Sequence, residues 1–541
     1  MKKLVSLLLA LSLLFIAACS GSPSAATSQP PQTGGSPAPS GEAPPPVDEG
    51  PPVGPDGQKY GGILRILGGN DTSTPWGIPW HHNAGGQGLL APWSESMLIC
   101  HANGTYTEWL AESFEIDVEN AQLRFVLKEG IYFHDGSELN AEVTVWNINQ
   151  AREEGNMNPA IIGAEVTGEY TLTVFLDDYY NGALDVFASH AFSIISKKNY
   201  DENGAEYAAA HPVGTGPFIF TERIPGSRAV FVRNENYWRE GLPYLDGLEY
   251  VEITDIMTQI GAMQSTGEDG GDILSISSAE QVALLQNSGA PVYVDKNPMG
   301  PVCLLPSSMD ENSPLSKLEV RQAISYAIDR ETICDARGFG ILTPATQFIP
   351  EPFLGPLPDS YNLSYNQAKA KELLADAGYP DGFTTNLIMM PGMDRDAVVA
   401  LQDMLSEVGI ICELQFPESG AATELRKDWD GLLVALARSL PNMTTTFRLY
   451  LDPDYQYYPQ MWRPVDEMRP VYITARSTEE VENENIQEFH RMVLDNMVLI
   501  PIYYTYDTFI HKNNVHDTQF TAYGPATFWM PGEAWKGEPL S

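Results

Sequence analysis

Between Leu123 and Gln150 the spacing of apolar and polar positions changes period in a readable order. Leu123–Leu127 alternates as a short strand does, and Lys128-Glu129-Gly130 turns the chain. Ile131–Phe133 reads as a second short strand, and His134-Asp135-Gly136 turns again. Asn140 then caps a helix over Ala141–Gln150, with Glu142 favourably placed in its first turn. The adjacent His134 and Asp135 look like a catalytic pair, but an Asp beside a Gly more simply caps the backbone of a tight turn.

The same reading, applied along the chain, predicts strands at Tyr60–Ile66, Gly163–Thr167, Tyr170–Leu176, Phe218–Thr221, Val230–Arg233, Leu248–Ile253, Gly270–Leu274, Ile410–Phe416 and Leu499–Tyr506. Helical spacing recurs later. Ser316 with Glu319 reads as a capping box before the face Val320, Ala323, Ile324, Ala327 and Ile328. On that helix Arg321 and Arg330 read as surface or ion-pairing residues. Asn366 caps Gln367–Ala377, which Gly378 ends. Val398, Leu401, Leu405 and Val408 form a further stripe, stopped by Gly409. Ser477 with Glu480 boxes the start of a last helix facing inward through Ile486, Phe489, Val493 and Met497. Helix, Gly and strand in succession indicate an α/β protein.

Composition narrows the function. The chain has 541 residues, 43% of them hydrophobic, which is too many for one ordinary domain. Its 31 basic and 71 acidic residues give a net charge of -40, which opposes nucleic-acid binding and adsorption to anionic lipid. Lys2 and Lys3 precede the apolar run Leu4–Ala18, which reads as a secretory signal (residues 1–18) too short for a span. Ile16-Ala17-Ala18-Cys19 resembles the lipobox of bacterial lipoproteins, in which Cys19 takes the lipid. Residues 19–57, rich in Pro, Gly, Ser and Ala, bury too little to fold and read as an extended tether. Cys100, Cys303, Cys334 and Cys412 match no metal or redox spacing. An exported location permits disulfides, and buried thiols are the other reading. Gly85, Gly86 and Gly88 interrupt a segment holding Trp80, His81 and His82. Two neighbouring His on a strand point to opposite faces, whereas in a loop they converge on a ligand. No nucleophile elbow or zinc motif occurs, so the chain reads as a non-enzyme without cofactor or metal.

The landmark stretch, LRFVLKEGIYFHDG, also resembles the "KxGxxFHDG" region of extracytoplasmic solute-binding proteins of the peptide/nickel type, the capture components of ABC importers. Further agreements follow in family order. LAESFE resembles "LAESWE", with Phe114 for Trp. HPVGTGPF, from His211, resembles "PVGTGPY"; it lacks the Lys and Ser/Thr of a phosphate loop. NENYW and LPYLD resemble "NPNYWxxGxPYLDxI", with Glu235 for Pro. VRQAISYAIDRE and AKELLADAGYPDGF match almost letter for letter.

The resemblance implies a large two-lobed fold of the periplasmic-binding-protein type (class C, type II), hinged and carrying a third domain. Lobe one would comprise 58–93, 211–295 and 500–541, the extra domain 94–210, and lobe two 296–499. A ligand, peptide or small molecule, would lie between lobes that close by hinge motion. A membrane permease would receive it, from a monomer lipid-anchored on the outer face of a Gram-positive-type cytoplasmic membrane. Many peptide-binding members carry "GWxADYPDP", whose first Asp meets the peptide's ammonium. Aligned on Pro441, VALARSLPNM places Ser439 there and Leu436 at the Trp. A buried ammonium without a carboxylate is costly, so an ordinary peptide mode is in doubt. Arg438 beside it favours an anion. An oligopeptide held by other anchors is the first reading. A sugar (10 Trp and 25 Tyr supply faces for stacking) or a metal chelate is the alternative within the family. A secreted hydrolase or a sensory lipoprotein is the alternative outside it.

Overall fold

The structure is a computed structural model describing residues 54–68, 75–81, 89–101, 103–267, 270–276, 278–358, 364–452, 458–479, 481–519 and 529–538. Cys19, the signal segment, the tether through residue 53, His82 and Glu480 lie outside the described residues; the end of the tether, 54–57, forms a turn onto Gln58. The strands are, in chain order, β1 Ile63–Gly68, β2 Leu98–Cys100, β3 Tyr106–Glu108, β4 Ala111–Asp117, β5 Gln122–Leu127, β6 Ile161–Val166, β7 Thr171–Leu176, β8 Phe218–Ile224 and β9 Arg228–Arg233. Then follow β10 Gly247–Glu252, β11 Ile273–Ile276, β12 Val292–Pro306, β13 Thr343–Pro344, β14 Phe383–Met389, β15 Ile410–Gln415, β16 Leu432–Leu436 and β17 Ile500–Lys512.

The main sheet runs β15–β14–β16–β12–β17–β11–β1–β10–β9–β8, with β13 also on β17. Its middle is the antiparallel pair β12 and β17, of 15 and 13 residues. The first half of β12 and the last half of β17 lie on the β11 side, where Ile273–Ile276 pairs with Thr508–His511. The other halves lie on the β16 side, where Val302–Pro306 pairs with Leu432–Leu436. The ladder slips between Pro298 and Gly300. Pro298 offers no N–H there. Gly300 has φ 123°, and a Cβ on it would stand 2.3 Å from the Ala437 carbonyl oxygen, so only glycine fits. A separate four-stranded sheet, β4–β5–β7–β6, takes the helix Ala141–Glu153 against it.

The three largest apolar clusters lie in layers, and a smaller one packs Leu67, Ile260, Leu274, Val282 and Ile510 beside β11. One runs from Leu64 and Trp76 through Trp93 to Phe125 and Val174, joining the small sheet to the β1 end of the large one. A second packs Val320, Ala323, Ile324, Leu374, Leu401 and Leu405 on one face of β14–β16. A third packs Phe348, Trp429, Phe447 and Phe489 on the opposite face.

The landmark stretch folds as its residues predict, with one difference. Asn140 caps its helix by accepting from the Val143 N–H, and Asp135 accepts from the Ser137 N–H at 2.9 Å and the Ser196 hydroxyl at 2.5 Å. Ile131–Phe133 is not a strand; it makes a single bridge, Tyr132 to Glu138. His134 donates its N–H to the Gly214 carbonyl and its Nε2–H to the Gly216 carbonyl, both at 2.9 Å. The HDG turn is thus tied to the Gly-rich stretch, whose glycines let the chain pass close to the Trp93 backbone. Burial pushes the His134 imidazole down to about 4.

Three expectations are corrected. Ser316 is not a cap: the helix Leu318–Ala327 starts at Lys317 with no side-chain cap, and Ser313 begins the preceding turn. Ser477 closes the helix Val465–Ser477 instead of opening the next, which spans Asn483–Asp495. Arg321 and Arg330 are buried, at 2% and 4% exposure, and among the described residues neither forms an ion pair with an acid. Arg321 donates to the carbonyls of Leu315, Ser316, Asn496 and Met497. Arg330 donates to those of Ser325, Ala345 and Pro501. The fixed fork of donors suits ends of segments whose carbonyls lack ladder partners.

Candidate functional site

The segment after β16 continues along the slip in β12. The Ala437 N–H donates to the Pro301 carbonyl at 2.9 Å, and the Ser439 N–H to the Met299 carbonyl at 2.8 Å. Ser439 is fully buried, and its hydroxyl has no hydrogen-bond partner among the described residues. The Arg438 N–H donates to the Tyr450 hydroxyl at 2.9 Å, which fixes the backbone from which the guanidinium projects. That guanidinium meets Asp507 of β17 at 3.4 Å. Asp507 sits opposite Asn297, on the β11 side of the slip. The Arg438 and Asp507 side chains keep 26% and 23% of their exposure. Burial raises the Asp507 carboxyl above its ordinary range, and Arg438 opposes that rise. Leu436, the last residue of β16, is half-buried opposite Val302.

A second set of contacts faces this segment from the small-sheet side. After β7 the chain runs through Asp178–Asp185 and meets the helices Met443–Tyr450 and Val465–Ser477. The Asn181 amide donates to the Ala475 carbonyl at 2.8 Å and accepts from the Thr444 hydroxyl at 2.5 Å. Arg476 pairs with Asp178 at 2.5 Å. Asp185 accepts from the Thr445 hydroxyl at 2.5 Å and the Tyr106 hydroxyl at 2.6 Å. Burial pushes its carboxyl up to about 6, against the pull of those donors. These polar contacts lie beside the buried rings of Tyr179 and Tyr180, the latter facing Arg448.

The other residues singled out from sequence lie elsewhere. Trp80 is buried, and its indole N–H donates to Glu154 at 3.0 Å. His81 meets the same carboxylate at 2.6 Å, at the end of the helix Ala141–Glu153. The structure does not bring these two to Arg438 by any direct bond among the described residues. Cys100, Cys303, Cys334 and Cys412 are free thiols, all but Cys100 buried. Sequence reasoning missed Glu95. This buried carboxylate accepts from the Tyr237 and Thr215 hydroxyls at 2.7 Å and from the Trp109 and Trp238 indoles at 2.9 and 3.0 Å.

The family model for bacterial extracellular solute-binding proteins, family 5 (middle region), matches residues 105–458, well over half of the chain. The chain belongs to this family. Family 5 proteins are extracytoplasmic, and the α/β body described above is their fold. The glutathione-binding protein GsiB of Salmonella typhi is 28% identical over 326 residues, covering 58% of this chain and 61% of the relative's length. Among solved structures, HbpA2 from Haemophilus parasuis superposes with a TM-score of 0.75 at 19% identity, over 88% of this chain and 100% of that one. The periplasmic binding protein DppA from Helicobacter pylori, in complex with the peptide STSA, superposes at 0.68 and 20% identity, over 88% and 99%.

Proposed function

We propose that this family 5 protein captures an extracellular solute between two lobes and delivers it to the membrane permease of an ABC importer, without chemical turnover. Lobe one comprises 58–93, 211–295 and 500–541, the extra domain 94–210 and lobe two 296–499. The observation that carries this reading is the sheet divided at the slip of β12 and β17. Two strands run through both halves, and their ladder slips between the halves at Pro298/Gly300, with a second slip close by at Val302/Cys303. A hinge there turns the halves without opening either core.

The solute is an oligopeptide or peptide-like molecule held in a non-standard mode. Ser439 stands where peptide-binding relatives place their acid, and a lone hydroxyl does not neutralise an ammonium. A peptide-bound neighbour and a glutathione-binding relative support the class. A sugar is less favoured, because Trp76, Trp80, Trp93, Trp429, Trp529 and Trp535 are all buried in the core. Native mass spectrometry of the purified protein is expected to show a retained peptide-sized mass, unchanged after prolonged incubation. A retained hexose ladder, or a product formed over many turnovers, would replace this reading.

Cys19 carries the lipid anchor, and 19–57 is the tether holding the monomer off the outer face of a Gram-positive-type membrane. A metabolic lipid label is expected in the protein and absent from Cys19→Ser. Equal labelling of both would rule the anchor out.

A further inference from the structure

The stretch 178–185, which follows β7, reaches the ends of two helices of the 296–499 region. Ala475 lies in the last turn of the helix Val465–Ser477, where helical carbonyls run out of backbone donors, and the Asn181 amide donates to its carbonyl at 2.8 Å. At the same helix end Arg476 pairs with Asp178 at 2.5 Å, and the Tyr179 hydroxyl donates to the Thr478 carbonyl at 3.4 Å. Thr444 and Thr445 stand in the first turn of the helix Met443–Tyr450. Their hydroxyls donate to the Asn181 amide oxygen and to the Asp185 carboxylate, both at 2.5 Å. A carboxylate is favoured at that end of a helix. Further along the same helix Arg448 lies over the Tyr180 ring, 5.1 Å from its centre. The fit is close: a Cβ on Gly182 would stand 2.4 Å from the Thr445 Oγ1.

We propose that 178–185 is a clasp, which completes these two helix ends and so holds the 296–499 lobe closed on the rest of the body before any solute is bound. This rests on the solute-binding reading and names a control on its closure that lies outside the solute's own contacts. A hinge at the slip of β12 and β17 swings the two helices away from 178–185 and parts these bonds. Water then takes over the separate donors and acceptors. It does not reproduce the place of Asn181, whose one amide serves both helices, so the full set forms in a single placement of the lobe. A hydrogen bond of this kind shifts an equilibrium roughly fivefold, and the bonds of Asn181, Asp178 and Asp185 together shift closure by roughly several hundredfold. The clasp therefore sets how much of the empty protein is closed, and its loss weakens every solute by the same factor, whatever the solute's chemistry.

The test is small-angle X-ray scattering of the full chain, as purified and after solute has been removed by unfolding and refolding, with native mass spectrometry to confirm that it is empty. Emptied wild type should scatter as the closed structure does. The double variant Thr444→Val/Thr445→Val keeps the shape of both side chains and removes their hydroxyls. Gly182→Ala drives a methyl into Thr445. Both should show a larger radius of gyration than emptied wild type, beyond the spread of replicates, and Thr445→Ser, which keeps its hydroxyl, should not. A stretch that served only the stability of the fold would lower the unfolding midpoint of the first two and leave their radius unchanged. If one of them does not fold, by circular dichroism, the other decides, and Asp178→Asn, at the exposed end of the clasp, decides if neither folds. Variants as compact as emptied wild type overturn the clasp. Wild type that is compact as purified and expanded once emptied also overturns it, and leaves the solute-binding reading intact. If wild type scatters alike in both states and every variant matches it, the parting of the lobes is overturned with the clasp.

Discussion

Replacing Glu95 by alanine should lower the stability of the protein by about 4 kcal/mol or more, within the range for uncoupling a buried charged group from its donors. The side chain is 4% exposed, and four side-chain donors converge on its two oxygens. They come from three distant stretches: Trp109 before β4, Thr215 in the Gly-rich crossing, and Tyr237 with Trp238 after β9. Burial raises the carboxyl and the four donors lower it, so hydrogen bonds hold the group in its site. Alanine leaves four buried donors facing a void. Glu95→Gln keeps the shape, but its N–H₂ has only a Tyr237 or Thr215 hydroxyl to donate to and leaves an indole N–H, which only donates, without an acceptor, so it should cost less than alanine but still over about 1 kcal/mol. Urea unfolding of the two variants measures both. Stability within about 1 kcal/mol of wild type for Glu95→Ala would contradict this role.

Stability should also fall steeply as pH drops from 6.5 to 4. Two histidines are held as neutral tautomers by their partners. His490 donates from Nδ1 to the Gly355 carbonyl at 2.8 Å and accepts at Nε2 from the Phe348 N–H at 3.1 Å. His134 donates from Nε2, and its Nδ1 is buried without a partner among the described residues. A second proton on either ring therefore has no acceptor, and burial pushes both down to about 4 from 6.5. Between those values the unfolded chain binds more protons, so the stabilisation is complete above pH 6.5 and lost as pH falls toward 4. Each histidine accounts for about 3 kcal/mol of that loss. Asp185 works the other way. Its carboxyl, raised from 3.8 to about 6, is protonated more readily in the folded state, so it offsets part of the loss below pH 6. Denaturation midpoints at several pH values should fall across this window, less in His134→Gln and His490→Gln, and more in Asp185→Asn. A flat profile from pH 7 to 4.5 would refute the assignment.

What was legible in the chain was local. The turn at His134-Asp135-Gly136, the Asn140 and Asn366 caps and the stripes of Val320 and Val398 depend on neighbours a few residues away, and they fold as read. Ser316 failed because Ser313, three residues earlier, starts a short helical turn that takes the capping place. Arg321 and Arg330 failed because their carbonyl partners lie as far off as Met497 and Pro501, where no periodicity points. The same limit hid Asp507. The alternation predicts a strand ending at Tyr506, whereas β17 continues to Lys512, carried by pairing with β12 and β11. Ser439 and Arg438 were singled out by resemblance, and the contact of Arg438 with Asp507 needed coordinates.

The position of β17 has a consequence for how the chain is made. Among the described residues the last long strand, β17, is not an edge strand; it takes a place between β12 and β11, in the interior of the sheet. A nascent chain that ends before Ile500 therefore presents two raw interior borders, each with unpaired backbone groups and apolar flanks. Such borders invite pairing between molecules. Shielding β12 and β11 until β17 arrives is thus a requirement of the topology itself.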